Sequence, residues 1–344
     1  VKEYTTATNT PRLDYSTGAE AFLLEPQSTN LITQSELFSD SYWAKSSSSV
    51  VSGFTSPSGV LSAFKLVEDT ATTTHQIQRF FSFLNQKYSL SAFLKADERN
   101  WIKVNLYDGS SSVYAYFDLT NGVVGQELGA TGKIENYGNG WYRCSITTTL
   151  NVSAGNGNIS LRLAENDGGT GYVGNGTSGL YIFGAQLEQG SFATSYIPTS
   201  GASATRNQEL CTNATPVINS EEGTLYAEIS ALTDSETGRY LAISNVGNYQ
   251  IRIGFLNGAL YVQMRINGSV PYAYSKLATL TNTNKIAISW TKNTQKVYVN
   301  GSLVNSGTNS IIIPTGTLTS LSFNNGDVSG GIFEGNTKDL KVYP

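Results

Sequence analysis

In residues 101–107, aromatic and hydrogen-bonding side chains alternate with aliphatic ones. Because successive side chains of a β-strand point to opposite faces, Ile102, Val104 and Leu106 are predicted to face a core. The opposite face carries the other four residues, Trp101, Lys103, Asn105 and Tyr107. A sugar has an apolar C–H face and a rim of hydroxyls, which suit aromatic rings beside amide and amino groups. The segment therefore predicts a face that recognises a glycan.

Two further predicted strands, at residues 113–119 and 159–163, add residues of the same kind. Opposite their apolar rows they carry Tyr114, Tyr116, Asp118 and Arg162. Lys103 and Arg162 favour an anionic polysaccharide, because cations form charge-assisted hydrogen bonds with acidic groups. The alternative is an ordinary solvent-facing sheet, since strand propensity alone favours Tyr and Trp.

The composition indicates a β-rich chain of two domains. Its 344 residues exceed the usual size of one domain, only 14% are charged, and 34 are glycine. Short runs of Val, Ile, Tyr, Phe and Thr are broken by turn signals such as Asn-Gly and Asp-Gly. A net charge of −4 without a Lys/Arg run argues against a nucleic-acid partner, and the absence of a long apolar run argues against membrane insertion.

The pattern along the chain predicts an all-β fold with two antiparallel β-sandwiches in tandem. We expect an extended lead-in over residues 1–29, a first sandwich over 30–198, a linker over 199–222 and a second sandwich over 223–344. The strands predicted for the first sandwich are 60–68, 76–83, 87–96, 101–107, 113–119, 141–149, 158–164 and 179–187.

The chain holds two cysteines and one histidine, which restricts the available chemistry. Alternation places Cys144 on a core face as a structural thiol, and Cys211 falls in the predicted linker. No nucleophile elbow or zinc motif surrounds His75, so a solvated or hydrogen-bonding role is predicted rather than a catalytic one.

An enzyme acting on a surface polysaccharide, as a glycoside hydrolase or lyase, is an alternative function. A hydrolase needs two carboxylates facing each other across the bond. The second half offers carboxylates at Glu221, Glu222, Glu228, Asp234 and Glu236, but no alternating acidic triplet on a central strand. A structural or protein-binding fibre head is a third function. Tyr261, Gln263 and Arg265 are then either its contact face or an ordinary polar sheet face.

Several short segments of the first half resemble a module that is widespread in phage tail-fibre and marine bacterial surface proteins. The resemblance covers residues 12 to about 207. It is carried by Arg12–Tyr15, Leu23–Ile32, Ser35–Ser39, Trp43, Gly140–Arg143, Gly184–Glu188 and Tyr196–Thr199. This module is similar to jelly-roll carbohydrate-binding modules.

The second half resembles the concanavalin A-like or laminin-G-like sandwich, through Glu222–Glu228, Asn284–Ala287 and Val299–Gly301. Together the two resemblances imply a jelly roll followed by a concanavalin A-like sandwich at the tip of a fibre or adhesin. They imply an extracellular location, on a virion tail fibre or a bacterial cell surface, and they favour a homotrimer. No cofactor is required. A structural calcium ion is implied by the jelly-roll resemblance, with Glu36, Asp40 and Glu188 as candidate ligands.

Overall fold

The computed structural model describes residues 12–15, 19–151, 155–211, 215–234, 238–245, 248–327 and 330–344. These residues fall into two compact units. The first comprises Gln27–Asn207, and the second comprises residues 12–26 together with Gln208–Pro344. The described residues contain strands and no helix, and therefore none that is long and apolar enough to span a membrane.

The strands pair in antiparallel sheets, which confirms the all-β class with two antiparallel sandwiches. In chain order they are β1 (Leu13–Asp14), β2 (Ala21–Leu24), β3 (Ser28–Asn30), β4 (Ala44–Ser46), β5 (Ser48–Phe54), β6 (Ala63–Glu68), β7 (Thr72–Thr74), β8 (Gln76–Phe83), β9 (Lys87–Lys95), β10 (Trp101–Tyr107), β11 (Ser112–Asp118), β12 (Val123–Leu128), β13 (Thr131–Gly138), β14 (Trp141–Thr149), β15 (Gly155–Ala164), β16 (Gly171–Val173), β17 (Gly179–Gln189), β18 (Ala204–Arg206), β19 (Gly223–Ser230), β20 (Arg239–Ser244), β21 (Tyr249–Leu256), β22 (Ala259–Ile266), β23 (Ser269–Leu277), β24 (Asn284–Trp290), β25 (Gln295–Val299), β26 (Ser302–Gly307), β27 (Ser320–Ser322) and β28 (Gly335–Tyr343).

Two six-stranded sheets form the sandwich of the first unit. We call them the front sheet, in the order β12-β11-β10-β15-β8-β4, and the back sheet, in the order β13-β14-β9-β17-β6-β5. Their apolar rows meet in one core, where Ile102, Val104 and Leu106 of β10 lie buried as predicted, together with Cys144. The alternating pattern therefore fixes which side of β10 faces outward.

All the strands predicted for the first sandwich are present within a few residues of their predicted bounds. Sequence patterning missed β5, β12 and β13, which are edge strands of the two sheets. Most of their side chains are exposed or half-buried. These strands carry no continuous apolar row, so the period-2 signal is weak.

The predicted lead-in and linker are both partly built into sheets. β2 pairs with β28 in a seven-stranded sheet of the second unit, and Ala21 and Leu24 are buried there. β18, in the expected linker, pairs with β3. Both segments are too short for alternation to reveal them as strands. Residues 1–11 and 16–18 of the expected lead-in lie outside the described residues.

The second unit packs a seven-stranded sheet, in the order β1-β2-β28-β19-β24-β25-β26, against a five-stranded one, in the order β23-β22-β21-β20-β27. The two sheets enclose a separate apolar core. A buried ion network fastens the early strands to this unit. Arg12 contacts Glu25 and Glu209, each with a nitrogen–oxygen distance of 2.6 Å.

Asn30 fastens the ends of the first unit together. Its side chain is fully buried and donates to the carbonyls of Ala185, at 3.2 Å, and Ile197, at 2.9 Å. Its amide oxygen accepts from the backbone N–H groups of Ile32, at 3.1 Å, and Leu187, at 3.2 Å. One side chain thus satisfies four buried backbone groups from three segments.

Replacing Asn30 should therefore destabilise the first unit strongly. We expect Asn30→Ala to lower the free energy of unfolding by about 3 kcal/mol or more, because four buried groups lose their partner. The measurement is chemical denaturation. Asn85→Ala, at an exposed position, is the matched control and should change little. Equal stability of the two variants would contradict this role of Asn30.

Candidate functional site

The front sheet brings all eight predicted glycan-binding residues onto one face. β10 lies between β11 and β15, paired along its whole length with both. Lys103 stands opposite Tyr116 on one side and Arg162 on the other, and Asn105 stands opposite Tyr114. We call the side of this sheet that is turned away from the core the front face. It carries Trp101, Lys103, Asn105, Tyr107, Tyr114, Tyr116, Asp118, Asn158, Ser160, Arg162, Gln76, Gln78 and Phe80.

Strand β8 extends this face with residues that the sequence analysis did not include. Gln76 is paired with Arg162, and Phe80 is paired with Asn158. Phe80 is 60% exposed, so its ring is the most accessible one on the face. The outward positions of β8 are readable from its alternation, but Arg79 interrupts the apolar row and obscures the pattern.

Lys103 lies against two tyrosine rings. Its Nζ is 3.5 Å from the ring centroid of Tyr114 and 5.4 Å from that of Tyr116. The two rings are nearly perpendicular, with centroids 5.6 Å apart. An ammonium group at this distance is attracted to the negative face of an aromatic ring. Lys103 is nevertheless only 8% exposed, so its charge has lost most of its water.

Arg162 places a second cation next to Lys103. Its Nε donates to Ser160 Oγ at 2.9 Å, and the Asn105 amide, turned with its oxygen toward β15, accepts from Arg162 Nη2 at 3.3 Å. Within the described residues neither Lys103 nor Arg162 has a carboxylate partner. Burial, reinforced by the charge of Arg162, lowers the pKa of Lys103 to about 8. Burial also lowers the pKa of Arg162.

Other members of the face are engaged in turns or partly covered. Asp118 accepts from the backbone N–H groups of Thr120 and Asn121 and so stabilises the turn after β11. The Tyr107 hydroxyl donates to the Gly109 carbonyl at 2.8 Å. Trp101 is half-buried. The polar centre of the site is formed by Lys103, Tyr116 and Asn105, which are buried, and by Arg162 and Tyr114, which are half-buried.

Two amide groups of the face have unused hydrogen-bonding capacity. Gln76 Oε1 and Asn158 Oδ1 are buried and have no hydrogen-bond partner among the described residues. Buried polar atoms are normally paired, since an unpaired one costs about 1–3 kcal/mol. On the front face Gln76 is paired with Arg162, and Asn158 is paired with Phe80.

The three candidate calcium ligands lie in separate hydrogen-bond networks. Glu188 is buried and accepts from Ser28 Oγ at 2.5 Å and from Thr194 N at 3.0 Å. Glu36 accepts from the Tyr196 hydroxyl, and Asp40 accepts from the backbone N–H of Tyr42. The described residues include no group of three acidic, His or Cys side chains placed to hold a metal. Calcium binding stays a prediction from the resemblance.

The remaining reactive residues have structural contacts. His75 is fully buried rather than solvated, and its Nδ1 lies 2.7 Å from the Ser47 carbonyl. Cys144 is buried and Cys211 exposed, and both are free. A buried structural thiol at Cys144 is thereby confirmed.

The carboxylates considered for hydrolysis in the second unit are used separately. Glu228 lies 4.0 Å from Lys285 and 3.7 Å from Lys338, as nitrogen–oxygen distances, and Asp234 accepts from the backbone N–H of Thr281. Glu221 and Glu222 are exposed. Glu236 lies outside the described residues.

Comparisons with known proteins identify similar structures but no family. No protein-family model and no curated protein matches the chain. A CBM40 module of the Ruminococcus gnavus IT-sialidase, solved with α2,3-sialyllactose, is 13% identical, with a TM-score of 0.30. The match covers 39% of this chain and 89% of that one. Domains LG4–5 of the mouse laminin α1 chain are 9% identical, with a TM-score of 0.29, over 99% and 92%. The LG1–3 region of the laminin α2 chain is 10% identical, with a TM-score of 0.29, over 80% and 63%.

The depressed pKa of Lys103 should be visible in the pH dependence of stability. Between about 8 and its usual value of 10.5, the unfolded chain binds a proton that the folded chain lacks, so stability rises with pH in this window. We expect Lys103→Met to remove this contribution and to raise stability below the window, where burying the charge costs most. Chemical denaturation at a series of pH values measures both effects. A variant with the slope of the unmodified chain would show that Lys103 has an ordinary pKa.

Proposed function

We propose that this chain is a non-catalytic attachment module whose front face binds a cell-surface polysaccharide that carries acidic groups. The observation that carries the proposal is the pair formed by Lys103 and Arg162. These two cations are cross-strand neighbours, they lie among tyrosine rings, and they have no carboxylate partner within the described residues.

Two adjacent cations removed from water are unfavourable by themselves. Each loses hydration, and each repels the other, which is why the pKa of Lys103 falls. A bound carboxylate or sulfate would supply the missing negative charge through charge-assisted hydrogen bonds. The planar guanidinium of Arg162 suits such groups because it donates two parallel hydrogen bonds.

The rest of the face suits the sugar that bears the acid. Phe80 and Trp101 offer ring surface to the C–H face of a pyranose. The unpaired oxygens of Gln76 and Asn158 would accept hydrogen bonds from hydroxyl groups. A ligand would then contact rings, amides and cations along one sheet.

The parent structure, the location and the oligomeric state are proposed from the resemblance to fibre and surface proteins. In the proposed setting the module stands at the tip of a fibre or adhesin outside the cell, as part of a virion tail fibre or a bacterial surface protein. A homotrimer would present several weak sites to one polysaccharide surface, and linked sites gain avidity without any new contact. The same resemblance is the basis for proposing a structural calcium ion.

Lyase activity on an acidic polysaccharide is a second candidate, favoured by one observation. An amine with a pKa of about 8 against the rings of Tyr114 and Tyr116 is chemically suited to accept a proton. Formation of an unsaturated uronate, followed by ultraviolet absorbance during incubation with polyuronates, would establish catalysis and overturn the non-catalytic assignment.

A glycan array tests the proposal directly. We expect the purified chain to bind carboxylated or sulfated bacterial and marine polysaccharides, and Lys103→Met and Trp101→Ala to weaken this binding about tenfold or more, since each removes a direct contact. Lys87→Met, at an exposed position on the back sheet, is the matched charge control and should bind normally. Circular dichroism checks folding. Unchanged binding by folded Lys103→Met would remove the front face as the site.

The pH dependence of affinity gives a second test. Binding of an acid favours protonated Lys103, so affinity should fall as the pH rises through about 8, by up to about tenfold per pH unit. Lys103→Arg keeps its charge in this range and should lose the dependence. Calorimetric titration on either side of that pH measures the effect. An affinity that does not change with pH would show that the Lys103 charge takes no part.

A further inference from the structure

The five-stranded sheet of the second unit has an outward side of similar composition to the front face. Its inward row, which includes Leu241, Ile251, Ile253 and Val262, is buried in the core. We call the opposite side the second face. It carries Tyr240, Ala242, Ser244, Gln250, Arg252, Gly254, Tyr261, Gln263, Arg265, Ala273 and Ser275. The sequence analysis named Tyr261, Gln263 and Arg265 but not Arg252 or Tyr240.

Arg252 is the centre of the second face. Its guanidinium carbon lies 4.3 Å from the ring centroid of Tyr240, and the ring of Tyr261 is 6.0 Å from that of Tyr240. Gly254 separates the two tyrosines in register and adds no side chain. Gln263, the cross-strand partner of Arg252, donates to the Tyr261 hydroxyl at 2.9 Å.

The second face, like the front face, contains buried polar atoms without a hydrogen-bond partner and cations without an ion pair among the described residues. Gln263 is 7% exposed, yet its Oε1 has no partner among the described residues, and Arg252 Nε is likewise unpaired. Neither Arg252 nor Arg265 forms an ion pair with any residue that the structure describes. The loop between β27 and β28 covers the β20 side of the face, because Gly326 lies against Ala242, Ser244 and Gln250, and Gly331 lies against Tyr240. Arg252, Tyr261 and Arg265 are half-buried and form the accessible part of the face.

The two faces share one combination of groups on unrelated sheets. Each has a cation over a tyrosine ring, a second tyrosine, an amide with an unpaired oxygen and a second cation, and among the described residues no carboxylate forms an ion pair with these cations. Packing of a core does not require this set, because every member lies on the side turned away from the core. What the groups have in common is complementarity to a negatively charged, hydroxylated ligand.

We infer that the second face is a second saccharide site, which binds an acidic sugar through Arg252. The guanidinium donates two parallel hydrogen bonds to a carboxylate or sulfate, Gln263 Oε1 accepts from a sugar hydroxyl, and Tyr261 offers ring surface. The inference takes the class of ligand from the proposed function, but it uses none of the front-face residues. The two sites therefore stand or fall separately.

The experiment uses the full chain with the front face silenced by Lys103→Met. Calorimetric titrations use three probes: a uronate oligosaccharide, its carboxyl-reduced neutral form and a sulfated oligosaccharide. We expect two sites on the unmodified chain and one on Lys103→Met. Adding Arg252→Gln should weaken the remaining site about tenfold or more. Lys292→Gln, at an exposed lysine in the turn between β24 and β25, makes the same charge change and should have no effect.

Each outcome decides the inference. Binding of only one acidic probe identifies the group as carboxylate or sulfate, whereas equal binding of the neutral probe overturns the charge-based site. If Lys103→Met retains no binding to any probe, or if Arg252→Gln leaves its residual site unchanged, the second site does not exist. Arg252→Lys, which keeps the charge without the planar fork, should retain partial affinity and serves if Arg252→Gln fails to fold.

Two further results separate this inference from the others. If Lys103→Met leaves two sites intact while Arg252→Gln removes one, the proposed front-face site fails and the second face stands. If sedimentation shows that the chain self-associates and that only Arg252→Gln abolishes this, the face is covered by another copy of the chain and the saccharide site is overturned.

Discussion

The in-register pairing of β10 with β11 and β15 is the constraint on which the front face depends. Because side chains alternate along a strand, the same pairing that buries Ile102 and Val104 turns Lys103 and Asn105 outward. A slip of one residue would exchange the two rows and place an ammonium group in the core. Burial of the apolar row of β10 therefore holds Lys103 and Asn105 in place, although the contacts of these polar side chains add little stability themselves.

Elsewhere in the first unit, buried charges have stable partners. Arg99 makes a two-point contact with Glu68, and Lys65 contacts two acids. Arg143 is buried and has no ion pair among the described residues. Its guanidinium donates a hydrogen bond to the Ser91 hydroxyl and lies over the Phe93 ring. Lys103 and Arg162 differ from all of these, because two like charges are neighbours and the repulsion between them remains. This repulsion is what makes the pair informative about a ligand.

Sequence alone located the strands with strong alternation and the eight residues that the front face assembles. It did not reveal Phe80, because Arg79 interrupts the inward row of β8. It also did not reveal Tyr240 and Arg252, whose shared face depends on the register of β20 with β21 and of β21 with β22. The resemblance does not show by itself whether a residue that carries it serves folding or ligand binding. A polar residue that carries the resemblance, such as Glu188, is consistent both with ligand binding and with folding. Its carboxylate accepts hydrogen bonds from Ser28 and Thr194, which is a folding role, and calcium binding there stays a prediction.

The polar residues of this chain thus divide by whether their hydrogen-bonding capacity is used. Asn30 makes four buried hydrogen bonds and supports the sandwich, whereas Gln76 and Gln263 each retain an unpaired oxygen. An unpaired buried polar group lowers the stability of the fold. Such groups are retained mainly where they serve function, so they concentrate at functional sites. In each unit an unpaired amide oxygen belongs to the cross-strand neighbour of an arginine, Gln76 beside Arg162 and Gln263 beside Arg252. This shared arrangement on two sheets of different topology is what supports a ligand at both proposed sites.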